Sequence, residues 1–197
     1  MELTQRDDIM VDIETLGTKP GCIVLTIGAA LFVPQTGEVK STFYEKISFK
    51  DSVLRGLVVE PDTYTYTWWQ KQDEEARKEA FSGEKNLADV ALAFEQWVRS
   101  HKGVRDFWCQ GTDFDYPIWE AAFKRASIAN FPVKFYQKRD TRTVYSVAGL
   151  DPAMIKREGT YHNALDDVLY QVRCVHEAYR LIGLAAVPEE IDELEGL

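Results

Sequence analysis

The segment Ile9-Met10-Val11-Asp12-Ile13-Glu14 places two carboxylates inside an otherwise apolar run. A strand sends alternate side chains to opposite faces. Read as a strand over residues 9–13, the run puts Asp12 and Glu14 on one face and Val11 and Ile13 on the other. Neighbouring carboxylates on a buried strand repel each other and are costly to desolvate. A fold that keeps them there either leaves that face in water, as an edge strand does, or supplies a cation. Hard divalent cations take carboxylate oxygens. On this motif alone both readings stay open.

A second acidic patch comes with a histidine. His162 precedes Asp167 by five positions, and Val168, Leu169, Val172 and Val175 follow at helical spacing. The pattern predicts a helix from Asn163 to about Leu181. Asn163 suits the N-cap, with His162 at the entry and Asp167 in the second turn. An imidazole then sits near a carboxylate, and histidine has the ordinary pKa best suited to general-base work near neutrality. Acids in a first turn also favour the helix dipole. That reading is preferred for Asp166 but not for Asp167.

Between these motifs, residues 104–111 include Phe107, Trp108 and Cys109 and read as a buried strand ended by Gly111. Pro117 is an early helix position, followed by Ile118, Trp119, Ala122 and Phe123 at helical spacing. Asp113 and Asp115 therefore fall at a strand-to-helix junction, where α/β proteins gather functional residues. Either also suits an Asx turn or a cap.

Elsewhere, residues 23–32 read as a strand, Pro34-Gln35-Thr36-Gly37 as a turn, and residues 41–49 alternate with Phe43, Glu45, Ile47 and Phe49 on one side. This suggests an antiparallel three-strand start. Leu87, Val90, Ala91, Phe94, Trp97 and Val98 form a helical stripe. A strand is expected at residues 141–146. Residues 50–67 read as irregular and able to line a site.

Composition narrows the class. At 197 residues the chain is expected to be one domain, with a core over about 8–182 and a solvated acidic tail over about 186–197. No apolar run is long enough to span a membrane, and residues 1–8 are unlike a signal peptide. Cys22, Cys109 and Cys174 are odd in number and widely spaced, which fits neither a disulfide framework nor a zinc site. Cys22 and Cys109 read as core thiols. These features suit a reducing cytoplasm. The net charge of −9 argues against tracking a long duplex, although Lys134, Lys138, Arg139 and Arg142 form a local basic cluster.

Taken in order, Asp12-x-Glu14, Phe114-Asp115 and His162-x4-Asp167 resemble the three motifs of the DEDDh 3′–5′ exonucleases, in the DnaQ-like, ribonuclease-H-like superfamily. The resemblance spans roughly positions 8 to 180. The chain is most similar to a small single-domain exoribonuclease-like branch that includes phage exonucleases. Thr67-Trp68-Trp69, Asp113-Phe114-Asp115, Arg139-Asp140-Thr141-Arg142-Thr143 and the stretch from His162 to Asp167 carry that likeness. One departure is Gly111-Thr112-Asp113, where many members have an Asn ahead of the Phe-Asp pair.

The resemblance implies an α/β, ribonuclease-H-like mixed sheet flanked by helices, with three antiparallel strands and then alternating helices and strands. It implies two Mg²⁺ or Mn²⁺ ions, with Asp12 bridging both, Glu14 and Asp167 completing one shell and Asp115 the other. His162, working beside Glu14, would take a proton from the attacking water. Substrate contacts are expected at Thr15, Leu16, Trp69 and Phe114. Tyr64, Tyr66, Trp68 and Trp69 offer stacking faces for unpaired bases. Of the tryptophans, Trp68 reads as core and Trp69 as the substrate contact. The expected partner is the 3′ end of single-stranded RNA or DNA, or a 3′ overhang, with RNA preferred and nucleoside 5′-monophosphates released. A homodimer is an open option and no membrane partner is expected. An exodeoxyribonuclease, an endonuclease of the ribonuclease H type and a catalytically silent nucleic-acid-binding module are the alternatives.

Overall fold

The computed structural model describes residues 6–59 and 63–185. The acidic tail expected at 186–197 lies outside the described residues. Strand β1 (Asp8–Thr15) is the middle of a five-stranded sheet. On one side it pairs antiparallel with β2 (Val24–Phe32), which pairs antiparallel with β3 (Val39–Lys46). On the other side it pairs parallel with β4 (Phe107–Cys109), and β4 pairs parallel with the edge strand β5 (Lys138–Asp140). The helices are α1 (Phe49–Leu54), α2 (Thr63–Gln70), α3 (Glu74–Phe81), α4 (Leu87–Ser100), α5 (Asp115–Arg125), α6 (Thr141–Ala148) and α7 (Ala164–Leu181).

Strand alternation sorts the core into two layers. Ile9, Val11 and Ile13 of β1 pack with Phe94 of α4 and with Trp119 and Phe123 of α5. Met10, Ala30, Phe32 and Trp108 pack with Tyr145 of α6 and Val168, Val172 and Val175 of α7. Helices cover both faces of β2, so it is apolar and buried along its length. Asp12 and Glu14 follow Met10 on the α7 face. They are therefore not the solvated acids of an edge strand.

Gly28 of β2 stands opposite Asp12 in the register. A Cβ there would lie 2.4 Å from the backbone carbonyl of Ala164. Only a bare backbone lets the first turn of α7 come down onto the sheet at this point. The Asn163 side chain caps that turn, accepting from the amides of Leu165 (3.0 Å) and Asp166 (3.2 Å). The helix thus begins at Ala164, and Asp167 falls in its first turn rather than its second.

Two expectations are overturned. Residues 141–146 are not a strand but most of α6. The Asp140 side chain caps it by accepting from the Arg142 amide at 2.8 Å, and the parallel edge strand ends just before it. Residues 50–67 are not irregular throughout, since α1 and part of α2 lie there, and Phe49 opens α1 instead of ending β3. All three cysteines are buried, and none is in a disulfide among the described residues. Among the described residues, no helix is long and apolar enough to cross a membrane.

Candidate active site

The α7 face of β1 opens into a cleft of about 500 Å³, lined by Asp12, Glu14, Asp115, His162 and Asp167. Three separate pieces of backbone meet there. Asp12 and Glu14 come from β1, Asp115 from the first turn of α5, and His162 with Asp167 from the entry and first turn of α7. Ligand atoms of Glu14, His162 and Asp167 all lie within 4.8 Å of one another. Asp115 is buried, whereas Asp113 is exposed and borders a different groove, so the structure separates the two candidates of the second motif.

The cluster is electrostatically unsettled. Burial drives the Asp12 carboxyl up to about 7, against one hydrogen bond donated by Gln171 Nε2 at 2.9 Å and the positive charge of Arg157. Glu14 is held well above the usual carboxylate range by burial, then by repulsion from Asp12 and Asp115. Asp115 is raised by burial and by Asp12, while the backbone of Ile13 pulls the other way. Carboxylates in this condition take up either protons or cations.

His162 has a backbone φ of 64°, the left-handed region that residues with a Cβ seldom occupy. Such backbone persists only where surrounding structure holds it, and it gathers at functional sites. Here the Trp68 ring packs edge-on to the imidazole, with centroids 4.6 Å apart. Burial, followed by the charge of Arg157, lowers the His162 pKa below its ordinary value. The neutral imidazole is therefore favoured.

The sequence profile of the Rv2179c-like 3′–5′ exoribonuclease domain matches residues 7–179. The chain belongs to this family. It is a 3′–5′ exonuclease by class. By sequence, no curated protein matches it. Among solved structures, the nuclease domain of 3′hExo, a DEDDh family member bound to rAMP, is 11% identical with a TM-score of 0.61, covering 96% of this chain and 99% of that one. The Mg²⁺- and Mn²⁺-bound form of S. pombe Pop2p is 14% identical with a TM-score of 0.57, covering 91% and 85%. E. coli exonuclease I in complex with a 5cy-dA13 oligonucleotide is 15% identical with a TM-score of 0.61, covering 89% and 41%. The chain thus spans less than half the length of exonuclease I. These likenesses establish the ribonuclease-H-like exonuclease fold.

Beside the main cleft, a smaller cavity of about 200 Å³ is lined by Glu14, Thr15, Tyr64, Trp68 and Phe114. Phe114 borders both cavities. Thr15 reaches the smaller one, and its hydroxyl donates to the Gly17 carbonyl at 2.6 Å. The two remaining candidates are buried and line neither cavity. Leu16 is 2% exposed and belongs to the core. Trp69 is 1% exposed, and its indole N–H donates to the Thr15 carbonyl at 2.9 Å. Helical geometry turns successive side chains by about 100°, so α2 cannot aim both tryptophans into the cleft. Trp68 faces it, and Trp69 anchors α2 to the end of β1. Trp69→Ala is accordingly expected to cost roughly 3–5 kcal/mol of stability. A melting temperature unchanged from wild type in thermal denaturation would contradict this.

Gln171 and Arg157 also line the cleft, outside the three motifs. Gln171 lies one helical turn beyond Asp167, a spacing that puts both on one face. Arg157 has no motif around it. The basic cluster is divided in the structure: Arg139 pairs with Asp106 at 2.7 Å, while Arg142 lines the cleft and donates to the Gln110 carbonyl.

Proposed function

We propose that this exonuclease removes nucleotides from the 3′ end of single-stranded RNA, or of a short 3′ overhang, and releases nucleoside 5′-monophosphates. In this reading Asp12, Glu14, Asp115 and Asp167 hold two Mg²⁺ or Mn²⁺ ions, and His162 is the general base. The observation that carries it is the meeting of Glu14, His162 and Asp167 within 4.8 Å beside the raised carboxyls of Asp12 and Asp115. The donor set fits such ions. It is rich in carboxylate oxygen, and Cys109 is buried and does not line the cleft.

When bound, the ions would polarise the scissile phosphate and lower the pKa of a water. The protein supplies the rest. Gln171 orients Asp12 through its 2.9 Å bond. Trp68 fixes the imidazole of His162, whose lowered pKa leaves a ring nitrogen free to take the proton of the attacking water. Phe114, Trp68 and Tyr64, the last 72% exposed, give aromatic faces on which unpaired terminal bases stack. The net charge of −9 favours gripping a few terminal nucleotides over tracking a long duplex.

The exoribonuclease description of the family and the rAMP on 3′hExo support RNA. The deoxy oligonucleotide on exonuclease I supports DNA as the second reading. We also place the enzyme in the cytoplasm, consistent with buried cysteines that are not in disulfides.

Linear and circular forms of one 5′-labelled sequence, as RNA and as DNA, test the reading. The linear RNA should shorten from its 3′ end in a ladder, the circles should survive, and chelation should stop all turnover. Release of the labelled 5′ nucleotide first, cleavage of a circle, or full activity after exhaustive metal removal would each sink the reading.

A further inference from the structure

Arg157 stands on the loop before α7 with 16% of its side chain exposed, and it lines the main cleft. It forms an ion pair with Asp167. Its guanidinium lies over the rings of Tyr161, at 4.0 Å, and Tyr170, at 4.9 Å. Its charge is felt by Asp12, Glu14 and His162 as well.

Two observations make this more than a structural salt bridge. The Nε of Arg157 is buried and has no hydrogen-bond partner among the described residues. A buried guanidinium donor without an acceptor is costly, and here it borders a substrate cleft. The second observation is the identity of its partner. Asp167 is one of the carboxylates that the proposed function gives to cations. Once Asp167 turns to a cation, the guanidinium stays between two tyrosine faces with its donors free. A phosphate offers a pair of non-bridging oxygens that the planar arginine fork can hold with two parallel hydrogen bonds. Arg142, the other arginine of the cleft, is already tied to the Gln110 carbonyl.

We propose that Arg157 is a substrate-phosphate-binding residue, which releases Asp167 when cations bind and takes the non-bridging oxygens of the terminal phosphodiester and of the product 5′-phosphate. The inference rests on the function proposed above. Tyr161 and Tyr170 keep the guanidinium plane facing the cleft through the exchange, since cations sit favourably on aromatic faces. Arg157 would then guard the carboxylates against each other before loading and grip the substrate after it.

The full-length protein tests this through two affinities that should move in opposite directions. Mn²⁺ binding is titrated first, then adenosine 5′-monophosphate binding to the Mn²⁺-saturated protein. Arg157→Ala should bind Mn²⁺ severalfold more tightly, because the competing guanidinium is gone. It should bind the nucleotide about tenfold to a hundredfold more weakly, the loss expected for hydrogen bonds to a charged group. Arg157→Lys keeps the charge and much of the stem, and should fall between the two. It carries the test if the alanine variant does not fold. Nucleotide affinity within twofold of wild type in both variants would overturn the proposal, as would parallel loss of both affinities. Asp12→Ala, assayed on labelled RNA, separates the two levels. If it retains turnover, the proposed function falls. If it is dead while Arg157→Ala binds nucleotide like wild type, only the role of Arg157 falls.

Discussion

Replacing Asp12 by alanine is expected to abolish turnover, by on the order of 10³-fold or more, in a protein that stays folded and melts higher than wild type in chelator. Asp12 sits on the central strand, opposite Gly28 and beneath the first turn of α7. Glu14 and Asp115 are both raised by its charge. Burial has pushed its own carboxyl up to about 7. A folded-state pKa above the unfolded value stabilises the fold while the group is protonated. That stability is lost as pH rises from about 4 through about 7. Without metal, the wild type should therefore lose stability between pH 5 and pH 8, and the variant should lose less.

Adding Mn²⁺ should raise the melting temperature of the wild type, because the ion binds only the assembled site. The variant should gain little. Melting curves at both pH values, with chelator and with Mn²⁺, check all of this beside a rate on labelled RNA. Asp12→Asn, which removes the charge at nearly constant size, should behave alike. Asp166 is the natural control, because it turns away to accept from the Thr160 amide at 2.8 Å, and its alanine variant should keep most of the rate. A near wild-type rate in Asp12→Ala would place the active site elsewhere. A lower melting point in chelator at pH 8 would mean that carboxylate repulsion is not what burdens the fold.

The parts of this site legible in the sequence are those where local pattern and tertiary role coincide. β1 declares itself because alternation puts apolar and acidic residues on opposite faces, and both faces are used. α7 declares itself because its cap and its apolar stripe agree. Residues 141–146 mislead because Thr141, Thr143 and Val144 favour a strand by their branched side chains. The Asp140 cap and packing against α7 decide otherwise, and the three-residue strand before them is too short to show a period.

Trp68 and Trp69 are told apart only by the rotation of α2, which the sequence pattern does not reveal. A helix of eight residues such as α2, without an apolar stripe, has little periodicity to read. Arg157 lies deeper still. It stands in a loop between Lys156 and Glu158, with no periodic pattern to mark it, and its partners Asp167, Tyr161 and Tyr170 become visible only once the loop is folded back over α7.

His162→Ala is expected to slow hydrolysis about 10²–10⁴-fold while leaving Mn²⁺ affinity close to that of the wild type. The imidazole has two competing roles here, because its ring stands as close to Glu14 and Asp167 as a fellow ligand would. Three features favour the base. The ring projects from a left-handed residue just before the Asn163 cap, and Trp68 packs against its edge. The oxygen ligands needed for a hard cation are supplied without it. Its pKa lies below the ordinary 6.5, lowered first by burial and then by Arg157. The sign follows directly. The neutral base is available at pH 7 and stays available to somewhat lower pH than a free histidine allows. As pH falls through its folded value, the ring takes a proton and the rate falls with it.

The wild-type rate should accordingly show an acidic limb below pH 6.5, and that limb should flatten in His162→Ala, leaving only the slope due to carboxylates taking up protons. Rates from pH 5 to 8 at saturating Mn²⁺, with Mn²⁺ affinity titrated separately, check the assignment. A variant that loses metal affinity in step with its rate would make His162 a ligand. An acidic limb unchanged by the substitution would assign the proton transfer to another group.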